Sequence, residues 1–321
     1  MSIGYVGLGS MGGALARRLQ LQHPLLVHDM SEVATQRVVD RGATACSSLR
    51  DLAARCDVIL LCLPTSEHVR AVIFGDNGIA GAARPGTLIV DQTTGDPTET
   101  RAMAAELAAM GLELIDAPVS GGPQGADAGT IAIMVGASAA QYERVQPILH
   151  SISPNVFHAG DVGTGHVIKL ANNLLSAGQR LVSLEAVALA VKNGVEPHKA
   201  VEIIMAGSGR NFYVEKFMSS HILSGKLASG FTVGLLHKDV RLACKLGVDS
   251  GVTMLFGNLA GEFYQMTMNE MGPDTQVNAV ALVIDRIAGT HVVPVDTASS
   301  DIRQRACLRV FVQKQGTRAQ K

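Results

Sequence analysis

Residues 3–21 read IGYVGLGSMGGALARRLQL. The stretch opens with a β-favouring apolar run, continues with Gly7, Gly9 and Gly12 in the spacing G-x-G-x-x-G, and ends as an amphipathic segment. In such a turn the first glycine permits a tight bend, the second lets a pyrophosphate approach the backbone, and the third lets the helix pack on the strand. The helix N-terminus adds N–H groups and a partial positive charge. The stretch therefore predicts a strand, a phosphate-binding turn and a helix, the opening unit of a dinucleotide-binding fold.

An acid follows at the spacing that this fold uses to bind a ribose. Asp29 ends the second apolar run, 22 residues after Gly7, where its carboxylate can accept hydrogen bonds from the ribose hydroxyls and repel a 2′-phosphate. No arginine follows directly in the sequence HDMS. NAD is therefore expected as the cofactor in preference to NADP. The predicted cofactor-binding residues of this region are Gly7, Leu8, Gly9, Ser10, Met11, Gly12 and Asp29.

The first half of the chain alternates short β-favouring runs with amphipathic helical patterns. The run VILLCL, Val58 to Leu63, is apolar at every position, as a strand covered by helices on both faces requires. This rhythm predicts an α/β domain of the Rossmann type, with a doubly wound parallel sheet. The predicted strands are Ile3–Val6, Leu25–His28, Val58–Leu63, Thr87–Val90, Leu112–Asp116 and Ile131–Val135, and the predicted helices are Met11–Leu21, Ser31–Arg41, Pro97–Met110 and Ala139–Leu149.

Two of these predicted strands end in residues that can reach a bound cofactor. Leu63 and Pro64 close the third strand, and Thr94 follows the next one in the sequence DQTT. Ligands of open α/β sheets bind beyond the carboxyl ends of the strands, so all three residues are candidate cofactor contacts. Pro64 has an equally good explanation as a residue that only ends its strand.

After Gly160 the pattern becomes wholly helical, which predicts an all-helical second domain. Asn193 and Gly194, with Pro197 just beyond, end the longest helical pattern. The expected domains are an NAD-binding domain over 1–162, a helical substrate and oligomerisation domain over 163–295, and a basic, poorly ordered tail over 296–321. The predicted helices are Val167–Lys192, Pro197–Met205, Asn211–Met218, Leu235–Gly247, Thr253–Met271 and Gln276–Ala288.

Composition excludes several classes of protein. With 47% hydrophobic and 17% charged residues, wholesale disorder is excluded. Aromatic residues are 4% with no Trp, which leaves few platforms for stacking bases, so nucleic acid is not an expected partner. The long apolar segment contains Lys169, Arg180 and Glu185. Placing charged side chains in the core of a bilayer costs free energy, so no membrane span is expected.

Cysteine and histidine usage points to a reducing compartment and to no metal. The five cysteines show no CxxC spacing, and no basic segment precedes the first apolar run as it would in a secretory signal. Free thiols and a cytoplasmic location are therefore expected. The ten histidines show no paired ligand spacing, so they are expected to be surface or core residues and not metal ligands.

Three later segments carry a family resemblance. Residues 116–130 read DAPVSGGPQGADAGT, residues 163–173 read GTGHVIKLANN, and residues 237–243 read HKDVRLA. Together with GLGSMG at residues 7–12, they resemble the substrate, catalytic and KDLxLA cofactor motifs of the β-hydroxyacid dehydrogenases, the family of 3-hydroxyisobutyrate dehydrogenase and tartronate semialdehyde reductase. The four motifs stand in the family's order.

The resemblance implies that Lys169 is the catalytic residue, with Asn173 as its substrate-binding partner and Asn172 in support. Lys169 and Asn173 are four residues apart, so they share one face of a helix. A hydride leaves a carbinol carbon only as its hydroxyl loses a proton, so a group must accept that proton. A lysine does so when burial and positive neighbours disfavour its charged form.

The resemblance also implies roles for residues outside this helix. Ser120, Gly121 and Gly122 would hold the substrate carboxylate, since a hydroxyl and successive backbone N–H groups can form an anion nest. Thr94 would contact the nicotinamide ribose, and Lys238 would close over the cofactor. The helical domain would also make a homodimer or homotetramer.

The sequence thus predicts an NAD(P)-dependent oxidoreductase, with NAD preferred, that interconverts a small 3-hydroxy carboxylic acid and its semialdehyde or keto acid. Tartronate semialdehyde, succinic semialdehyde or a threonate-type sugar acid are alternative substrates within the family. A non-catalytic dinucleotide-binding regulator is the alternative from another class. The 6-phosphogluconate dehydrogenases carry a glutamate where this chain has Ser176, and imine reductases usually lack the lysine. Asn211 replaces a serine of the family pattern, which leaves the substrate open.

Overall fold

The computed structural model describes residues 1–294, and its chain divides into two compact units. The first unit is Met1–Ala171, and the second begins at Asn172. The division falls inside one long helix, Thr164–Lys192. The domain limits expected from the sequence stay predictions, and the basic tail expected over 296–321 lies outside the described residues.

A nine-stranded sheet forms the centre of the first unit within the described residues. Its strand order is β3-β2-β1-β4-β5-β6-β8-β7, with β9 paired to β8. Strands β1 to β6 are all parallel, whereas β8 runs antiparallel to β6 and β7. The predicted doubly wound parallel sheet is therefore confirmed for β1 to β6, whereas the antiparallel pairing of β8 was not predicted. The strands are β1 (Ile3–Val6), β2 (Leu25–His28), β3 (Thr44–Ala45), β4 (Val58–Leu61), β5 (Leu88–Asp91), β6 (Glu113–Asp116), β7 (Val119–Ser120), β8 (Ala132–Gly136) and β9 (Val156–Gly160).

Both faces of this sheet are buried under helices. In β4, Val58 and Leu60 belong to one hydrophobic cluster, whereas Ile59 and Leu61 belong to another. Alternate side chains of one strand point to opposite faces, so each face carries its own core, which explains why VILLCL is apolar throughout. The helices of this unit are α1 (Ser10–Leu19), α2 (Glu32–Val39), α3 (Leu49–Arg55), α4 (Ser66–Phe74), α5 (Pro97–Ala109), α6 (Gly122–Ala128) and α7 (Ala139–His150).

The second unit is helical, as predicted. Its core joins Leu184 and Val187 of the long helix to Val240 and Tyr264 of two later helices. The helices are α8 (Thr164–Lys192), which begins in the first unit, α9 (Pro197–Ala206), α10 (Val233–Ser250), α11 (Leu255–Met271) and α12 (Val280–Ala288), with a π-helical segment at Val214–Ile222 and a 3₁₀ turn at Val277–Ala279.

One predicted helix, Asn211–Met218, differs in type and position. The Asn211 side chain accepts a hydrogen bond from the Val214 N–H (3.1 Å), so it lies before the helical segment and not within it. At the other end the Leu223 N–H donates to the carbonyl of Met218, five residues earlier (2.8 Å). That spacing is the hydrogen-bond pattern of a π-helix, which periodicity alone does not distinguish from an α-helix.

Helix α8 is long and apolar enough to pass a composition test for a membrane span. Its inner face, however, packs in the core of the helical unit through Leu184 and Val187. Buried Lys169 and Arg180 lie on the same helix. Apolar packing on one face together with buried charged side chains is typical of the core helix of a globular domain.

Candidate active site

The glycine loop after β1 has the geometry that its spacing predicts. Gly7 has a φ of 87°, and a Cβ there would overlap the Cys62 carbonyl oxygen. A Cβ at Gly12 would overlap the carbonyl oxygen of Gly7, whereas a Cβ at exposed Gly9 would meet nothing within 4 Å. Packing therefore requires the first and third glycines, and the second leaves the backbone open to approach.

The N-terminus of α1 fits a dinucleotide phosphate. Its N-cap is Gly9, no side chain caps it, and its first turn contains no acid. A cavity of about 380 Å³ adjoins the loop, and Ser10, Arg17 and Arg37 contribute to its lining. Backbone N–H groups at a helix start and nearby guanidinium groups both favour a bound phosphate, so this region can hold the cofactor implied by the motif.

Asp29 is hydrogen-bonded to the glycine loop. Its carboxylate accepts the Leu8 N–H (2.6 Å) through one oxygen and the Ser31 N–H (2.7 Å) through the other. Both bonds hold the carboxylate at the carboxyl end of β2. The strand end at which it lies is where the sequence predicts the acid that contacts the ribose.

Leu63 links the glycine loop to the strand end that carries Thr94. A Cβ at Gly7 would lie 2.9 Å from Leu63 Cδ2, so the two residues are in contact. The Leu63 N–H also donates to Thr93 Oγ1 (3.0 Å). Exposed Pro64 follows directly, and Thr94 is half-buried. The carboxyl ends of β4 and β5 are therefore tied together beside the loop.

A buried polar cluster fixes the start of α8. Asp116, at the end of β6, accepts the N–H groups of Gly163 (2.6 Å) and His166 (2.7 Å). The His166 ring lies 2.8 Å from the Thr93 carbonyl oxygen through Nε2. Burial raises the pKa of nearby Asp91. The neighbouring His166 and the hydrogen bonds from Thr93 act in the opposite direction, but their effects are smaller.

Lys169 lies one turn after His166 on α8 and is only 7% exposed. Asn173, one turn further, is equally buried. Both side chains are therefore largely shielded from solvent. Both residues lie on α8, four positions apart, as the sequence predicts.

The second unit brings Asn172 and Asn173 together with Lys238 and Asp239 of the HKDVRLA motif. The Asn173 amide donates to Asp239 (2.6 Å), and the Asn172 amide donates to the Asn173 side-chain oxygen (3.1 Å). Lys238 forms an ion pair with Asp239 (3.0 Å). Buried Asp239 thus orients Asn173 and connects it to Lys238.

The predicted substrate residues lie where β7 meets α6. Ser120 ends β7, and Gly121 and Gly122 follow with φ of 140° and 71°. Positive φ values at two successive residues favour glycine, and they turn the chain sharply into α6. Consecutive N–H groups in such a turn can bind an anion.

Sequence reasoning missed the contributions of His166 and Asp239. His166 stands three residues before Lys169, and Asp239 stands next to Lys238, so both lie inside motifs that the sequence already marked. Only the structure shows that His166 hydrogen-bonds the Thr93 carbonyl, next to Thr94, and that Asp239 accepts the Asn173 amide. Within residues 1–294, no group of three or more His, Cys, Asp or Glu side chains is arranged to hold a metal ion.

Two family models match consecutive parts of the chain. The NAD binding domain of 6-phosphogluconate dehydrogenase matches residues 2–160, and the NAD-binding domain of NADP-dependent 3-hydroxyisobutyrate dehydrogenase matches residues 163–284. The 2-(hydroxymethyl)glutarate dehydrogenase of Eubacterium barkeri is 40% identical over 83% of this chain and 88% of its own length. The chain belongs to the β-hydroxyacid dehydrogenase family.

Two further comparisons agree for this β-hydroxyacid dehydrogenase. The NAD-dependent L-serine dehydrogenase of Pseudomonas aeruginosa is 35% identical over 89% of this chain and 99% of its own. The structure of Mycobacterium tuberculosis 3-hydroxyisobutyrate dehydrogenase with L-serine has a TM-score of 0.80, with 29% identity over 88% of this chain and 98% of that one. This β-hydroxyacid dehydrogenase is therefore an NAD(P)-dependent enzyme acting on a CH–OH group, and the regulator alternative is disfavoured.

Proposed function

We propose that this enzyme interconverts a small 3-hydroxy carboxylic acid and its semialdehyde, with NAD as cofactor and Lys169 as general acid/base. The observation that supports this most is the position of Lys169. It is buried, and it lies one turn after His166, which is hydrogen-bonded to the strand end that carries Thr94.

The names of three relatives suggest the form of the substrate. 2-(Hydroxymethyl)glutarate, L-serine and 3-hydroxyisobutyrate all contain the unit HO–CH₂–CHR–COO⁻. They differ in R, which is a carboxyethyl, an ammonium or a methyl group. We infer that this unit is the substrate core here, and that R is the variable part.

Each predicted residue then has one role. Ser120 and the N–H groups of Gly121 and Gly122 would hold the carboxylate. Asn173 would hydrogen-bond the hydroxyl, and Lys169 would take its proton as the C–H bond breaks. A bound nicotinamide supplies the acceptor for the hydride, so two electrons and one proton leave the carbon in that step. In the reverse direction Lys169 returns the proton to the carbonyl oxygen.

A substrate panel tests the proposal. NADH formation would be followed by the absorbance of the reduced nicotinamide with 3-hydroxyisobutyrate, 2-(hydroxymethyl)glutarate and L-serine. NADH consumption would be followed with tartronate semialdehyde and succinic semialdehyde. Threonate would be the fourth substrate tested for oxidation by NAD. We expect the highest kcat/KM for a member of the first three. A higher value for succinic semialdehyde or threonate would favour those alternatives, and no turnover by protein that binds NAD would contradict the function.

Asp29 supports NAD over NADP. Its carboxylate is held at the end of β2 by Leu8 and Ser31, where it would repel a 2′-phosphate. Substituting Asp29→Ala should lower the ratio of kcat/KM for NAD to that for NADP, and Asp40→Ala, an exposed acid one helix away, should not. An unchanged ratio in the Asp29 variant would contradict this assignment.

We also propose self-association through the outer face of α8. Ile168, Leu175, Val182 and Leu189 recur every seven residues and are 46–68% exposed. Seven residues are close to two helical turns, so these side chains form one stripe suited to packing against a second helix. A homodimer or homotetramer would cover this stripe.

A cytoplasmic location is the remaining part of the proposal. Cys46, Cys56, Cys62 and Cys244 are free cysteines in the described part of the chain. Free thiols are typical of a reducing compartment. Fractionation of the native organism should recover the activity with the cytoplasmic proteins, and recovery elsewhere would contradict the location.

A further inference from the structure

Three ionisable groups are fully buried around the first turn of α8. They are Asp91 at the end of β5, Asp116 at the end of β6, and His166 in the helix. The His166 ring lies 3.9 Å from a carboxylate oxygen of each aspartate. Burying such groups is costly unless hydrogen bonds compensate, and the proposed reaction uses none of them directly.

Asp116 caps α8 from another element. Its two carboxylate oxygens accept the N–H groups of Gly163 (2.6 Å) and His166 (2.7 Å). The first N–H groups of a helix have no partner within the helix, and a negative charge beside them is favourable. One residue of β6, 47 positions earlier than Gly163, therefore fixes where α8 begins.

The His166 ring connects the same turn to the loop after β5. Its Nε2 donates to the Thr93 carbonyl oxygen (2.8 Å), since a carbonyl can only accept. Its Nδ1 lies 3.0 Å from Thr100 Oγ1 of α5. Thr93 directly precedes Thr94, the proposed ribose contact, so the ring couples α8 to the cofactor side of the site.

Glycines on β8, on α8 and in the loop after β5 make room for this cluster. A Cβ at Gly136 would overlap Asp116, and a Cβ at Gly165 would lie 2.8 Å from the same carboxylate. A Cβ at Gly95 would lie 3.1 Å from the His166 ring. The close approach of α8 to β6, β8 and the β5 loop therefore depends on several positions together, which is more than a single helix cap requires.

We propose that Asp116 and His166 are positioning residues for Lys169. Lys169 follows His166 by one turn, so the contacts that hold the ring also set the height and rotation of Lys169 relative to Thr94. A misplacement of about 1 Å in a catalytic group can cost roughly 10²-fold in rate. This inference rests on the proposed role of Lys169.

The test compares variants of the full-length enzyme with a substrate deuterated at the carbinol carbon. His166→Ala removes the ring, and His166→Gln keeps an N–H donor at the position of Nε2. His158→Ala is the matched control, since that histidine is exposed on β9. We expect His166→Ala to lower kcat by roughly 10- to 100-fold, to raise the isotope effect on kcat, and to leave the KM for NAD nearly unchanged. His166→Gln should recover most of the loss, and His158→Ala should behave as wild type.

Asp116→Asn keeps the test valid if His166→Ala does not fold. The amide can accept only one of the two N–H groups, so kcat should fall and the isotope effect should rise in the same way. A wild-type kcat in His166→Ala or in Asp116→Asn would overturn the proposal. A lower kcat with an unchanged isotope effect and a higher KM for NAD would overturn it as well. Lys169→Ala is measured alongside. If this variant keeps full turnover, the proposed function itself fails. If Lys169→Ala is inactive but His166→Ala has the kcat of the wild type, only the positioning role is refuted.

Discussion

At the scale of single residues, Asp91 stands out because it is buried with one carboxylate oxygen lacking a hydrogen bond. The other oxygen accepts the Thr93 N–H (2.9 Å). Burial raises its pKa, despite the opposing effect of His166. An unfolded aspartate loses its proton near pH 4, so as pH rises above that value the folded state keeps a proton that the unfolded chain has released. The stability contributed by protonated Asp91 is therefore lost as pH rises through its folded pKa.

Asp91→Asn should remove this dependence. The amide oxygen can still accept the Thr93 N–H, and no charge is buried. We expect the variant to have a higher Tm than wild type at about pH 8, by roughly 2–4 °C for each kcal/mol of burial cost that the substitution removes. The difference should become smaller as pH approaches 4. Calorimetry with Asp76→Asn, an exposed aspartate, provides the control. A variant with equal or lower Tm at every pH would contradict the assignment.

Residue identities within the motifs were predictable from sequence, but their partners were not. Asp29 is predicted by its spacing from Gly7, and Lys169 and Asn173 are predicted by the family resemblance. In the structure Asp29 directly follows β2, and Lys169 and Asn173 lie on α8. The contacts of Asn173 with Asp239 and of Asp116 with Gly163 span 66 and 47 positions. Such pairs depend on how elements pack, which a local pattern does not encode.

At the scale of elements, the glycine loop and the start of α1 require glycine at different positions for different physical reasons. Gly9 has φ of −61°, which any residue can adopt, and open space at its Cβ position. Gly12 packs against the carbonyl of Gly7.

Two alanine variants should separate these reasons. Gly9→Ala should keep the wild-type Tm and raise the KM for NAD, because the added methyl group meets only an approaching pyrophosphate. Gly12→Ala should lower the Tm, because its methyl group forces the helix away from the strand. Thermal melts and initial rates measure both. Equal losses of stability in the two variants would contradict this division.

The main elements were predicted, and the shortest were not. The runs for β1 and β2 match their predicted bounds, and the four long helical patterns of the first unit appear with small shifts. The sequence reasoning missed three strands and three helices of that unit. The missed elements are β3, β7, β9, α3, α4 and α6. Strands of two residues, such as β3 and β7, are too short to show a period.

At the scale of the whole molecule, the outer face of α8 exposes a regular apolar stripe of Ile168, Leu175, Val182 and Leu189. Replacing Leu175 and Val182 together with glutamate places two charges on this stripe. We expect sedimentation to show a smaller species than wild type, because burying unpaired charges in an interface is costly. Leu21→Glu with Val33→Glu, at equally exposed sites of the first unit, should leave the size unchanged. A monomeric wild type, or a double variant of wild-type size, would contradict the interface.

The central claim, that buried Lys169 moves the proton, is tested most directly by comparing Lys169→Ala with Lys192→Ala, an exposed lysine on the same helix. NAD affinity would be measured by calorimetric titration, since the chain has no Trp to report binding, and kcat by NADH formation on the best substrate of the panel. Loss of a general base should lower kcat by about 10²- to 10⁴-fold in Lys169→Ala, with NAD affinity retained and Lys192→Ala active. A Lys169→Ala enzyme that binds NAD and turns over at the wild-type rate would contradict the claim.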